Sequence, residues 1–155
     1  MRLARRAVRV ALAHARLPRE AEASIAIVTD AEMRALNARH RGRDRVTDVL
    51  SFGAALPAGV RGTDAASHLE RDVDGSVELG DIVIAAEQAR RQARRRRWSV
   101  GEEIAFLAAH GALHLVGYED DSQAGYREMR RLGLAAVFAA EQILKKAEHH
   151  RHRRR

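Results

Sequence analysis

An apolar run, Ile104 to Ala109, leads without a helix breaker into His110-Gly-Ala-Leu-His114-Leu-Val-Gly117-Tyr118-Glu119-Asp120. This stretch constrains the chain more than any other. Histidines four apart on a helix lie one turn apart on the same face, where two imidazoles can reach one metal ion. Gly117 suits the left-handed turn that ends a helix. Such a turn brings the chain back so that Asp120 becomes a third donor. Short zinc-binding helices commonly carry Glu directly after the first His as general base. Here that position is Gly111, which argues against a protease-like use of the site. Two imidazoles, one carboxylate and an open position can activate water toward a phosphodiester or a carbonyl.

The remaining segments supply a scaffold for that helix. Residues 2–16 form an amphipathic helix, with Leu3, Ala7, Val8, Ala11 and Ala15 on one face and Arg2, Arg5, Arg6 and Arg9 on the other. An arginine-rich, acid-free N-terminus also fits an organelle transit peptide, but the absence of serine favours a packed first helix. Pro18 ends it. Residues 23–29 and 47–52 read as strands, with a helix over 31–40 between them that Asp30 caps and whose Met33 and Leu36 face inward. A third strand spans 79–84 and a helix spans 85–97. Ser99 caps the histidine helix, with Glu102 as its capping-box partner. A long last helix begins after Asp121 or Ser122.

Residues 53–78, rich in glycine and mixed charge, read as a long loop, partly disordered, with room for an extra edge strand. The segment is more acidic than basic, so by itself it is a poor surface for nucleic acid. The expected architecture is α+β: a small mixed sheet packed with about five helices, one domain over 1–148, and a charged, frayed basic tail over 149–155.

The chain of 155 residues carries a formal charge of +7, mostly from arginine. Arginine forks match phosphate geometry, so a polyanion such as RNA is the expected partner. Six of these arginines, Arg90, Arg91, Arg94, Arg95, Arg96 and Arg97, crowd into eight positions. On a helix that is either a solvated face or a counter-charged docking surface. There is no cysteine, so any metal must be held by His, Asp or Glu. No apolar run is long enough to span a bilayer, and the first residues lack the apolar core of a secretory leader. A cytoplasmic location is the expectation, with no membrane partner.

Three stretches together carry a family resemblance. His110-Gly111-Ala112-Leu113-His114-Leu115-Val116-Gly117-Tyr118-Glu119-Asp120 resembles the H-G-x-L-H-L-x-G-Y-D-H signature of the YbeY family, metal-dependent endoribonucleases of ribosomal RNA maturation. Arg41-Gly42-Arg43-Asp44 through Thr47-Asp48-Val49-Leu50-Ser51-Phe52 resembles that family's R-G-x-D-x-x-T-[DN]-V-L-S-F block, and Leu79-Gly80-Asp81-Ile82 its L-G-D-I block. The chain departs from the pattern at Asp120, where the family has His, at Glu119, where it has Asp, and at Gly53, where it tends to have Pro.

The resemblance implies a zincin-like metal-binding helix with His110, His114 and Asp120 as ligands to one Zn²⁺ per chain, other divalent metals being admissible. It implies Arg41 as the catalytic-cleft arginine that grips the scissile phosphate. Asp81, Ser51 and Glu119 are candidates for orienting a ligand from behind or for lining the cleft, and the arginines of 90–97 for RNA binding. The implied activity is single-strand endonucleolytic cleavage at the small-subunit rRNA 3′ end and in ribosome quality control. The implied partners are ribosomal RNA and the small ribosomal subunit. Two other readings fit the same residues: a ribosome-assembly or RNA-binding factor without catalysis, and a metallohydrolase of another substrate.

Overall fold

The computed structural model describes residues 1–152. Its elements in chain order are α1 (Arg2–His14), β1 (Ala21–Val28), α2 (Asp30–Arg41), β2 (Val49–Gly53), α3 (Thr63–Ala66), β3 (Val77–Ala85), α4 (Ala86–Arg96), α5 (Val100–Leu115) and α6 (Gln123–His152). The three strands form one mixed sheet in the order β1-β3-β2, with β1 parallel and β2 antiparallel to the central β3. The expected α+β class and mixed sheet are therefore present.

Side chains alternate along β3 on either side of a bulge at Leu79, which resets the alternation, and so divide the protein into two layers. Val77, Leu79, Ile82 and Ile84 join the main core with α1, α5 and α6. Val83 and Ala85 face the other way, into a smaller core with Met33, Leu50 and the partly buried Leu36. α5 lies at the centre, buried along nearly its whole length, and touches both β2 and β3. With few aromatics available, small side chains make this close packing: Ala4, Ala7 and Ala11 of α1, Ala105, Ala108 and Ala112 of α5, and Ala136 and Ala140 of α6 are all buried. Burial of this α1 face against α5 and α6 makes the N-terminal stretch a structural helix, as its apolar stripe predicts.

Helix starts obey local chemistry. The Ser99 side chain accepts from the Glu102 amide while Glu102 accepts from the Ser99 amide, the reciprocal capping box expected. The cap of α2 is one residue earlier than expected: Thr29, not Asp30, caps it, with Glu32 completing a second box. Asp30 is thereby released to bond across to α4, accepting from the Gln88 amide at 3.2 Å and from Arg91.

The segment between β2 and β3 is not wholly irregular. It contains the one-turn α3, whose Ala65 is fully buried, and no additional strand among the described residues. β3 begins at Val77, two residues before the apolar block, because the Val77 amide bonds to the Glu20 carbonyl and the strand continues that register. The C-terminal tail expected from residue 149 is helical through His152, as a continuation of α6; residues 153–155 lie outside the described residues.

Candidate metal centre and nucleic-acid cleft

The last turns of α5 carry the site. His110 and His114 point the same way, with their Nε2 atoms 3.0 Å apart. Gly117, at φ 89°, then reverses the chain. A side chain there would meet the Val60 carbonyl oxygen at 2.1 Å, so both its conformation and its surroundings require glycine. The reversal returns Asp120, whose Oδ2 lies 3.1 Å from His110 Nε2 and 3.7 Å from His114 Nε2.

These three are the group of side chains, among the described residues, whose donor atoms converge closely enough to hold one ion. Metal–ligand bonds of about 2.0–2.1 Å at tetrahedral angles imply ligand–ligand separations of roughly 3.3 Å. The separations found, 3.0 to 3.7 Å, bracket that value. Tautomer and charge agree. His114 Nδ1–H donates to the Tyr118 carbonyl at 2.9 Å, which leaves Nε2 with a free lone pair. Burial lowers the His110 pKa and the neighbouring His114 lowers it further, while the Asp120 and Asp48 carboxylates oppose the shift. A neutral imidazole is the form that binds metal. The donor set therefore fits a divalent cation with a preference for nitrogen and oxygen ligands.

The triad opens into a cleft of about 720 Å³ that Arg41, Ser51, Glu119 and Asp48 also line. Arg41 is exposed at the C-terminus of α2, where it is held by the helix it ends. Ser51 has a structural contact as well: its hydroxyl donates to the Gly111 carbonyl at 3.0 Å, tying β2 to the metal helix. Asp81 stands apart. It shares the sheet face of Val83, opposite α5, and accepts a hydrogen bond from Ser24 on β1. It does not line the cleft.

Asp48 also lines the cleft, although its place in the sequence suggests no particular role for it. Its carboxylate accepts from the Val49 amide at 2.8 Å and from Gln92 Nε2 at 3.0 Å, and its charge acts on His110. The available signal was its place inside the block that runs from Thr47 to Phe52.

The arginine run of α4 divides into separate tasks. Arg90, Arg94 and Arg95 are exposed and make no ion pair among the described residues. Arg91 bonds to Asp30 and Gln88. Arg97 occupies the left-handed C-cap at φ 58°. Arg96 turns inward: its Nη1 lies 3.0 and 3.1 Å from the two carboxylate oxygens of Glu103, which is fully buried on α5. The guanidinium also covers the rings of Phe106 and Trp98 at 5.0 and 5.3 Å.

Fold and site together define the class: an α+β domain with a His-His-Asp metal-binding group at the end of its central helix. The chain belongs to the Endoribonuclease YbeY family, whose model matches residues 1–148. Among curated relatives, Endoribonuclease YbeY of Moorella thermoacetica is 46% identical over 110 residues, covering 71% of this chain and 67% of that protein. The Bradyrhizobium sp. protein of the same name is 40% identical over 113 residues, covering 73% of this chain and 62% of its own length. The Desulforamulus reducens protein, again of that name, is 37% identical over 131 residues, covering 84% and 80%. A Thermotoga maritima protein solved in solution shares the fold at a TM-score of 0.51 and 23% identity, over 88% of this chain and 79% of that one. No helix among the described residues is long and apolar enough to cross a membrane.

Proposed function

We propose that the chain is a metal-dependent endoribonuclease that cleaves single-stranded RNA in ribosomal RNA maturation, at the small-subunit rRNA 3′ end and in ribosome quality control. Convergence of His110, His114 and Asp120 in the same cleft as Arg41 is the observation that carries the reading. Membership of an endoribonuclease family supports the substrate class. Zn²⁺ is the proposed ion, one per chain, because two imidazoles and a carboxylate suit it; the carboxylate also widens the range of divalent metals accepted. The ion supplies Lewis acidity toward a phosphoryl oxygen and toward water.

The chain's own residues do the rest. Arg41 pairs with the scissile phosphate and stabilises the charge that develops on its oxygens. The bond from His114 to Tyr118 holds that imidazole in one orientation throughout. Glu119, exposed in the cleft with no hydrogen-bond partner among the described residues, is the proposed proton acceptor. Arg90, Arg94 and Arg95 provide a backbone-binding surface for RNA, whose strength falls steeply with salt. The small ribosomal subunit is the proposed partner, and the cytoplasm the proposed location.

Cleavage of a single-stranded rRNA fragment, with and without EDTA, in wild type and His114→Ala tests the reading. Activity lost in both arms is expected, together with zinc recovered from the wild-type protein. Cleavage that survives both treatments overturns it, and tight RNA binding without any cleavage points instead to an assembly factor.

A further inference from the structure

His110 and Asp120 are walls of two cavities. One is the Arg41 cleft. The other, about 210 Å³, lies on the α6 side and is lined also by Asp48, Arg96, Tyr126 and Arg130. Tyr126 and Arg130 are four apart on α6 and so share a helix face. Tyr126 lines this cavity and is 51% exposed. Arg130 is exposed and makes no ion pair among the described residues. The other arginine of this cavity, Arg96, is committed to Glu103. Arg130 is thus the cation there that remains available to an anion, and Tyr126 the aromatic face that remains available to a ring.

Because His110 and Asp120 line both cavities, a strand laid across them from the Arg41 cleft would leave over the second. We infer that the α6 face is a second nucleotide subsite: Arg130 pairs with the phosphate next to the one over the His-His-Asp group, and Tyr126 stacks the adjoining base. The subsite rests on the RNA reading above and extends it by one nucleotide. Stacking on an aromatic side chain tolerates any base, so the subsite selects unpaired strands rather than a sequence. A duplex, whose bases are already stacked on each other, offers no free face to Tyr126.

The test uses the full chain and a labelled single-stranded oligoribonucleotide, with Kd measured in EDTA by anisotropy and KM measured for cleavage with zinc. Tyr126→Ala is expected to raise both about tenfold, from the stacking energy of one base, and Tyr126→Phe to restore them. Arg130→Ala is expected to weaken binding and to reduce the slope of log K against log salt by about 0.7, the loss of one single-strand phosphate contact. Tyr126→Ala should leave that slope unchanged. Metal content should match wild type in all three variants. Unchanged Kd and KM in Tyr126→Ala and Arg130→Ala, with wild type still cleaving, would overturn the subsite alone. A wild-type protein that neither binds nor cleaves the oligonucleotide overturns the RNA reading and the subsite with it.

Discussion

The Ser51 hydroxyl donates to the carbonyl of Gly111, the residue that follows the first of the two histidines, across 3.0 Å. β2 and α5 can approach this closely only because Gly111 has no side chain. A Cβ there would sit 2.7 Å from Ile82 Cγ2 and 3.0 Å from the Ser51 hydroxyl. The position where other zinc helices place a general base is therefore occupied here by a contact with the sheet.

Gly111→Ala should destabilise the fold by about 1–3 kcal/mol, the usual cost of overpacking a tight core, and Gly111→Glu by more. Ser51→Ala should cost about 1 kcal/mol, one hydrogen bond. Urea unfolding of the three variants checks the order. A Gly111→Ala protein as stable as wild type would show that the helix can move off the sheet freely.

Arg96 is expected to act through its ion pair with the buried Glu103 rather than as an RNA contact. Arg96→Ala leaves the Glu103 carboxylate buried without its partner, a change that typically costs about 3–5 kcal/mol. Arg90→Ala, Arg94→Ala and Arg95→Ala should each leave stability within about 0.5 kcal/mol and shift RNA binding instead. Thermal melts beside RNA titrations separate the two groups.

Glu103 also predicts a pH dependence. Burial pushes its carboxyl up, and the attraction of Arg96 only partly offsets this. A folded-state pKa above the unfolded value means that the native protein binds more protons than the unfolded chain between the two. The stabilisation from this group is full below the unfolded carboxyl pKa of about 4.3 and is lost as pH rises through the raised folded value. Glu103→Gln should flatten this part of the stability profile. Denaturation midpoints of both proteins from acidic to neutral pH provide the comparison; parallel profiles would rule the effect out.

Asp120→Ala should lower metal affinity by more than the 10- to 100-fold, roughly, that loss of an outer-sphere partner brings. Asp120→His keeps a donor at the same place and should retain the ion. Metal content after dialysis against a weak chelator reads both, and a fully loaded Asp120→Ala protein would remove Asp120 from the ligand set.

Much of this was legible in the sequence because it depends on local spacing. The turn-to-turn placement of His110 and His114, the Ser99–Glu102 box and the reversal at Gly117 are all settled within a few residues of chain. What escaped depends on partners from other elements. Arg96 and Glu103 sit at the end of one helix and the start of the next, and only the buried interface between α4 and α5 shows that they pair. Asp81 reads as a site residue by its block, but the bulge at Leu79 resets the strand alternation and turns it to the face away from α5. Thr29 and Asp30 are both good caps, and the choice between them is made by contacts of Asp30 with α4 that no local pattern announces.

Backbone bonds tie the segment between β2 and β3 to the fold on either side of its tip. The Gly62 amide holds the Val116 carbonyl at 2.8 Å, behind the metal helix, and the Val77 amide holds the Glu20 carbonyl at 3.0 Å. Between those bonds the exposed stretch near Val73 touches little of the core. Lengthening a loop adds only about 0.6 kcal/mol per doubling. The stretch is thus a natural port for grafting: a reporter or affinity module spliced in around residue 73 would ride on the protein with the candidate site still latched at Gly62.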